Sequence, residues 1–537
     1  MAPAHVLAVY DICSMICEAL GDLDLKTLKN FAIVSKATKD PALDALYYHV
    51  TLQDFLRCLP QILLIVKDTP IMTFSRSMTE NDYATLDRYR DRVRILYVAA
   101  LPEVDIRISD ELINHSPTSL FPKLRIFDVE EDARLPPPLY RQILCPTLMD
   151  ISWFLHDEIG NGVIDYLPQL CPHLQRLTIL SHEKCKGMRQ PVLVGPGMML
   201  SAPRSFFVRS PLDSTDASLP FRLAHIGPLM PGLKTLNVRA PSVSVRPNTM
   251  MEAIARFQGL DRCVAVKSWP LTCVGVGETP RKTSEHSFPN LKALAAGGGN
   301  SEDLFRLLQC LQPSVFPNLV IFVADLSPEV YPNHGLKGDV LEAISECLPT
   351  ETLRTLKLWE VWRGAPSGNM MDEAAFRTLF RFSHLTVLHF QLEQEIDMDD
   401  NLLGDLCLAL SHLESLRIQR CVAWKPTTRR VTLNGLAQCV SRLLALKELA
   451  LTVDTRTEVN VELETLPPNH IRPNPTITVL NLALSPLDDP PFTFHQLRVL
   501  FPNLRDLVPA KKDNMWLTCD ELTRDLWVRV SLMLGGE

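Results

Sequence analysis

Six side chains in the C-terminal half of the sequence have the types and the spacing of a binding site for an acidic partner. They are Lys357, Trp359, His389, Gln391, Arg417 and Gln419. Tryptophan and arginine are among the residues that most often anchor protein interfaces. The positive charge of the set predicts a partner segment that is acidic or phosphorylated and that makes an aromatic contact. The alternative is that individual members belong to an ordinary solvated surface.

Catalytic chemistry has no comparable signal. No Ser-His-Asp order and no pair of carboxylates stands out, and GVG at 275 and GGGN at 297 lack the spacing of a phosphate-binding loop. The 14 cysteines are scattered without a C-x-x-C pair, which predicts buried thiols in a reducing compartment. EQEIDMDD at 393 is interpreted as a solvated acidic loop. We expect a protein that is not an enzyme, with no catalytic residues, no metal and no cofactor.

The six side chains occupy fixed places in a phrase that returns about every 30 residues. In it an aromatic residue or Cys precedes Pro, one variable residue, an anchoring Leu and two further apolar residues, as in FPKLRIFDV at 121, CPHLQRLTI at 171 and FPNLVIFVA at 316. Looser copies include TLRTLKL at 352, SHLTVLHF at 383 and SHLESLRI at 411. Such a period predicts a solenoid of about 13 to 15 units, with degenerate copies near 203 and 261.

Each copy predicts a short strand, and the chain after it usually predicts a helix. The last apolar residues of the phrase alternate as in a half-buried strand. Segments such as GDVLEAISECL at 338 and NGLAQCVSRL at 434 have apolar residues at helical spacing. Alternating strands and helices predict an α/β fold with a parallel sheet on the concave face and helices on the convex face. The expected adjacent strands are 95–98, 126–129, 176–179, 235–238, 355–358, 387–390, 415–418 and 448–451.

Side chains that alternate with the core residues of each strand should lie together on the concave face. The same rule that selects the six residues also selects Arg176 and Arg239 as candidate target-binding residues. Earlier in the chain it selects Asp128, Glu130 and Asp150. The predicted face therefore changes from acidic to basic and aromatic along the chain.

These repeats resemble the leucine-rich repeat in its long, helix-bearing form, although the Asn that usually follows the strand is mostly absent. The resemblance implies a curved solenoid. The missing Asn implies a less regular turn, so we expect uneven curvature and some units without a helix.

The first 50 residues lack the phrase and predict three short helices. Apolar residues recur every fourth residue from Ile12 to Leu20. Asp24 is the expected N-cap of a second helix, and a third should begin at Asp40 and Pro41. Because three short helices bury little core, such a segment needs a partner or an adjoining domain.

This segment resembles the F-box, and its ending VSKATKDPALDALYYHV resembles the form found in fungal F-box proteins with repeat tails. Val9 and Tyr10 stand where the motif usually has Leu-Pro, and Thr38 stands where it usually has Trp. The matching residues are Ile12, Ile16, Leu20, Leu25, Leu28, Ala32, Val34, Ser35, Lys36, Pro41, Ala42, Leu43 and Leu46.

The resemblance implies that the segment docks a Skp-family adaptor on a cullin scaffold, while the repeats recruit an unknown target protein for ubiquitin transfer. The adaptor-binding residues it implies are Ile12, Ile16, Leu20, Leu25, Leu28, Val34 and Pro41. The alternative, favoured by the missing Leu-Pro and Trp, is a leucine-rich-repeat interaction scaffold without a ligase. The expected domains are an F-box-like module at 5–50, a helical linker or N-terminal cap at 51–90, the solenoid at 91–518 and a capping helix at 519–537.

Composition is that of an ordinary soluble globular protein, with 46% hydrophobic and 22% charged residues. The net charge of −8 argues against a nucleic-acid partner, because phosphate binding needs a basic excess. No apolar run approaches the length of a membrane span. We therefore expect a cytoplasmic and/or nuclear protein.

Overall fold

The computed structural model describes residues 3–60, 64–66, 71–100, 103–115, 119–130, 133, 135–155, 163–181, 219–239, 247–266, 288–299, 304–305, 307–308, 315–326, 338–360, 370–392, 395–396, 398–420, 431–456, 473–482, 485–507 and 521–534. Two compact units divide the chain, Met1–Ser244 (unit 1) and Val245–Glu537 (unit 2). No helix among the described residues is both long enough and apolar enough to cross a membrane.

Unit 1 combines helices with a parallel sheet. Its described helices are α1 Pro3–Leu23, α2 Leu25–Val34, α3 Lys36–Tyr48, α4 Leu52–Leu56, α5 Glu80–Arg90, α6 Ile106–His115, α7 Pro137–Ile143, α8 Leu167–Leu170 and α9 Leu219–Ile226. Its described strands are β1 His49–Thr51, β2 Leu64–Val66, β3 Ile71–Phe74, β4 Ile95–Val98, β5 Glu103–Val104, β6 Ile126–Val129, β7 Asp150–Leu155, β8 Arg176–Ser181 and β9 Thr235–Arg239. Strands β1, β4, β6, β7, β8 and β9 are parallel neighbours in chain order. Strand β3 pairs with β2 and β5 in a smaller sheet.

Unit 2 has the same plan. Its described helices are α10 Pro247–Ala255, α11 Gly338–Cys347, α12 Glu373–Arg377, α13 Asp400–Ala409, α14 Leu433–Val440, α15 Pro490–Leu500 and α16 Glu521–Met533. Its described strands are β10 Arg262–Val266, β11 Ala293–Gly299, β12 Ile321–Leu326, β13 Thr355–Glu360, β14 Met370–Met371, β15 Val387–Leu392, β16 Glu395–Ile396, β17 Ser415–Arg420, β18 Glu448–Leu451, β19 Val479–Asn481 and β20 Asp506–Leu507. Except for the separate pair β14 and β16, these strands are parallel neighbours in chain order.

The predicted α/β repeat fold is confirmed in each unit. Every predicted strand begins at the expected residue, and some extend one or two residues further. The degenerate copy near 261 is β10, while the copy near 203 lies outside the described residues. The sheet of unit 1 begins at His49–Thr51, well before the expected start at 91, and the segment 51–90 contains strands as well as helices. A strand as short as β1, with Val50 as its buried residue, carries too little pattern to be recognised.

The three N-terminal helices form as predicted, with one difference in their bounds. Asp24 caps α2, accepting a hydrogen bond from the Lys26 backbone at 2.9 Å. Helix α3 begins at Lys36 with Ser35 as its N-cap, so the prediction of a start at Asp40 is wrong and Pro41 lies inside the helix. The Ser35 hydroxyl accepts a hydrogen bond from the backbone N–H of Thr38, which allows the helix to begin earlier. Pro41 removes one backbone hydrogen bond from the helix without ending it.

In several repeats, the residue just before the anchor forms a hydrogen bond to the preceding repeat. The side-chain amides of Asn290, Asn318 and Asn503 donate to backbone carbonyls of the preceding repeat at 2.7–2.9 Å. The hydroxyls of Thr147 and Thr352 do the same at 2.8 and 2.9 Å. Each bond stabilises a turn by about 1 kcal/mol. This role was not predicted, although the Asn that recurs in FPNL at 288, 316 and 501 is a signal for it.

The acidic segment at 393 includes two aspartates with structural roles. Asp399 caps α13, accepting from the Leu402 backbone at 2.8 Å. Asp400 accepts from both the backbone and the hydroxyl of Thr432, each at 2.7 Å. The interpretation as a solvated loop is therefore wrong for these two residues, because their carboxylates hold helix ends in two successive repeats.

The substitution Gly435→Ala tests this contact. A Cβ atom on Gly435 would lie 1.9 Å from Oδ1 of Asp400, so the carboxylate would have to leave Thr432. We expect the free energy of unfolding to fall by about 2–4 kcal/mol in urea denaturation. Gly404→Ala is the matched control, since the nearest atom to its Cβ would be 3.9 Å away. That variant should gain about 0.5–1 kcal/mol, and equal stability of the two variants would refute the contact.

Candidate interaction surfaces

The parallel register places three basic residues side by side on unit 2. Lys357 of β13 is the Cα partner of His389 of β15, and His389 is the partner of Arg417 of β17. Neighbouring strands lie about 4.8 Å apart, so these residues form a short row across the sheet. The repeat spacing predicts these residues as neighbours in three consecutive repeats, and the strand register has this arrangement.

A second row lies two residues further along the same strands. Trp359 pairs with Gln391, and Gln391 pairs with Gln419. Trp359 is 36% exposed, and Nζ of Lys357 lies 5.9 Å from the centroid of its ring. That separation allows a cation–π contact. On β12, Asp325 is the Cα partner of Trp359, and its side chain lies outside the described residues.

His389 differs from the solvated residue that the alternation rule predicts. It is only 7% exposed, and its Nε2 lies 2.8 Å from Oγ of Ser415. Ser415 donates its own proton to Oε2 of Glu448 at 3.0 Å. Because that hydroxyl has a single proton, the imidazole must donate Nε2–H to it. A nucleophilic triad needs the opposite arrangement, with the histidine accepting the serine proton.

The ionisable groups of this network shift one another's pKa values. Burial, followed by the charges of Lys357 and Arg417, lowers the pKa of His389 to about 4, so the imidazole is neutral at pH 7. Burial and the charge of Arg417 also lower the pKa of Lys357. Although burial opposes its ionisation, hydrogen bonds from Arg417 and Ser415 hold the pKa of Glu448 below its usual value. Nη2 of Arg417 lies 3.0 Å from Oε2 of Glu448. We call Lys357, Trp359, His389, Ser415, Arg417 and Glu448 the basic cluster.

The two candidate arginines of unit 1 are placed differently. Arg176 donates to Oδ2 of Asp150 at 2.7 Å, so its charge is already paired. Arg239 ends β9, and its side chain lies outside the described residues. Asp128, which the alternation rule places on the same face, is largely desolvated, and this burial raises its pKa. The positive character expected here is therefore offset by acidic neighbours.

The N-terminal helices expose several large apolar side chains. Ile12 and Ile16 on α1 and Leu25 and Val34 on α2 are exposed, and they belong to the predicted adaptor-binding set. Met15 and Ile33, which are not in that predicted set, are 70% and 83% exposed. Met15 could have been found because it shares a helix face with Ile12 and Ile16.

Three predicted adaptor-binding residues do not lie on this exposed surface. Leu28 is fully buried, Pro41 is buried and Leu20 is half-buried. Leu28 packs in a small core with Cys17, Ala32 and Ala42. Leu28 and Pro41 therefore support the shape of the module and cannot contact a partner directly.

Unit 1 holds this small module in place through α3. Arg92 donates to carboxylate oxygens of both Asp40 and Asp44. The rings of Tyr47 and Tyr89 stack with their centroids 4.4 Å apart. These contacts are made by α3, so the exposed residues of α1 and α2 remain available.

Within the described ranges, no group of three His, Cys, Asp or Glu residues is arranged to hold a metal ion. The described cysteines, among them Cys145 and Cys171 at the aromatic position of the phrase, are free thiols, and most of them are buried.

No protein-family model matches the chain, and no curated protein matches it. Solved structures similar to it include the Rad7 and Elc1 complex in yeast, at 12% identity with a TM-score of 0.33 over 96% of this chain and 93% of that chain. A protein from Bacteroides fragilis has 12% identity and a TM-score of 0.23 over 64% of this chain and 72% of its own. The mouse RP105/MD-1 complex has 14% identity and a TM-score of 0.19, over 54% and 56%. Similarity at these TM-scores carries no information about function.

Proposed function

We propose that this chain is a non-enzymatic substrate receptor of a Skp-cullin-F-box type ubiquitin ligase. One observation carries the proposal. The N-terminal module turns Ile12, Leu25 and Val34 outward while its core contains only a few small or medium side chains. Exposed apolar side chains on so small a unit mark a surface that a partner covers. The F-box resemblance supplies the identity of that partner, a Skp-family adaptor that in turn binds a cullin scaffold.

The mechanism is proximity. The chain contributes no reacting group; it holds a target protein near the conjugating enzyme and so raises the effective concentration of an acceptor lysine. The basic cluster is the proposed target-binding surface. Such a role places the protein in the cytoplasm, the nucleus or both.

Co-expression with a Skp-family adaptor tests the proposal. We expect the adaptor to co-purify with the full chain in a stoichiometric complex that survives gel filtration. If no Skp-family adaptor binds while a target still binds the basic cluster, the second candidate function is correct. That candidate is a leucine-rich-repeat scaffold without a ligase, and the replacement of Leu-Pro by Val9 and Tyr10 is the observation in its favour.

Target capture should depend on two residues of the basic cluster. Trp359→Ala combined with Arg417→Ala removes an exposed indole and a partly exposed guanidinium, and little core packing is lost. Removing interface anchors of this kind typically costs about 2 kcal/mol or more, roughly thirtyfold in affinity. Calorimetry with a captured target would measure the change. Lys447→Ala is the control, because Lys447 is already paired with Glu414 at 2.7 Å. Undiminished affinity in the double variant would place the target elsewhere on the molecule.

A further inference from the structure

The two cations of the basic cluster differ in their ion pairing among the described residues. Arg417 is paired with Glu448, and Ser415 donates to the same carboxylate. Lys357 makes no ion pair with any carboxylate in the described part of the chain, and its aromatic neighbour Trp359 carries no charge. An incoming anion would stabilise this partly buried ammonium group by direct attraction, which is stronger where water is partly excluded.

The charges of the cluster add up to a single positive charge. Lys357 and Arg417 contribute two positive charges and Glu448 one negative charge, while the buried imidazole of His389 is neutral and donates to Ser415. One carboxylate balances this sum. A phosphate group, with a charge of about −1.5 to −2, would need a second positive charge. Only protonation of the buried His389 could supply it within the cluster.

The strand geometry also limits the shape of the ligand. Lys357 and Trp359 lie on the same face of β13, two residues apart. Two residues of an extended strand span about 6.8 Å, which is also the repeat of side chains along one face of an extended peptide. A segment lying along β13 could therefore present one residue to Lys357 and the residue two positions away to the indole.

We propose that the basic cluster binds a single aspartate or glutamate side chain of an extended target segment, with an apolar residue two positions away packing on Trp359. This inference specifies the target-binding half of the proposed function and rests on it. It does not depend on adaptor docking. The carboxylate pairs with Lys357 and lies beside Arg417, while His389 stays neutral.

A library of short random peptides displayed on phage, selected on the immobilised full chain, tests this inference. We expect enrichment of peptides with Asp or Glu two positions from an apolar residue. Lys357→Met should weaken the best such peptide at least about tenfold, since a charge-assisted contact is lost. Lys447→Met is the matched control and should leave binding unchanged, because that lysine already pairs with Glu414. Enrichment of basic or uncharged peptides, no enrichment, or equal binding by both variants would overturn the inference.

Phosphate is tested separately. In the best peptide, phosphoserine replaces the acidic residue, and both forms are measured at neutral pH. We expect the carboxylate form to bind more tightly. Tighter binding by the phosphorylated form, strengthening as the pH is lowered, would assign the cluster to phosphorylated targets instead. A negative adaptor co-purification would leave either result intact, so failure of the ligase proposal and failure of this inference can be told apart.

Discussion

Replacing Leu25 and Val34 together with glutamate should abolish co-purification of a Skp-family adaptor. Both side chains are exposed, at 57% and 71%, so an adaptor that covers α2 would bury them. Loss of two apolar anchors costs about 4 kcal/mol, which is on the order of a thousandfold in affinity. The introduced carboxylates add a desolvation cost in the complex. Pull-down of the adaptor, followed by a titration of the purified chains, would measure the loss.

Leu28 is left unchanged in this variant. Leu28 is fully buried, so a charge there would unfold the module and would not test docking. Leu444→Glu is the matched control, since this leucine is 67% exposed outside the module. Circular dichroism and thermal melting should be unchanged in both variants. An adaptor that bound the double variant as tightly as the unmodified chain would refute docking through α2.

The architecture could be predicted from the sequence because the repeat carries redundant information. The anchors Leu353, Leu385 and Leu413 are all fully buried, and the strand after each begins two residues later. Once each anchor is fixed, the alternation of a strand decides which side chains share a face. The alignment of Lys357 with His389 follows directly from that spacing.

Depth of burial could not be predicted by the same reasoning. Alternation assigns His389 to a face, but whether it is solvated depends on its neighbours from other strands. Lys357 and Arg417 flank it, and Ser415 lies within hydrogen-bonding distance. Ser415 and Glu448 each lie two residues after a repeat anchor, on the face that the alternation rule selects, but residue type alone does not mark them as partners of His389 and Arg417 before the strands are aligned.

Helical spacing had a similar limit in the N-terminal module. Leu25 and Leu28 lie three residues apart, a spacing that predicts one shared helix face. In the structure Leu28 packs with Ala32, whereas Leu25 is the first residue of α2 and is exposed. Leu25 is exposed and Leu28 is buried because Leu25 lies at the end of the helix. The start of α3 could not be predicted for a related reason, since the Ser35 cap competes with the helix-start signal of Pro41.

The stability of unit 2 should fall as the pH is lowered from about 6.5 to about 4, and His389 is the expected cause. In the unfolded chain a histidine has a pKa of about 6.5, whereas burial and the charges of Lys357 and Arg417 lower the pKa of His389 to about 4 in the folded state. Between these values the unfolded chain binds a proton that the folded chain does not. Stability is therefore greatest above the window and decreases through it as the pH falls.

The expected loss across the whole window is about 3 kcal/mol, from roughly 1.4 kcal/mol for each pH unit of the difference. His389→Gln isolates this contribution, because glutamine can still donate to Ser415 but cannot be protonated. Glu448, which also titrates at low pH with a lowered pKa, is retained in both proteins, so its effect is common to them. Urea denaturation of the two proteins across this range should give curves that diverge as the pH falls, the variant losing less stability. Parallel curves would mean that the imidazole is solvated and that Lys357 and Arg417 do not lower its pKa.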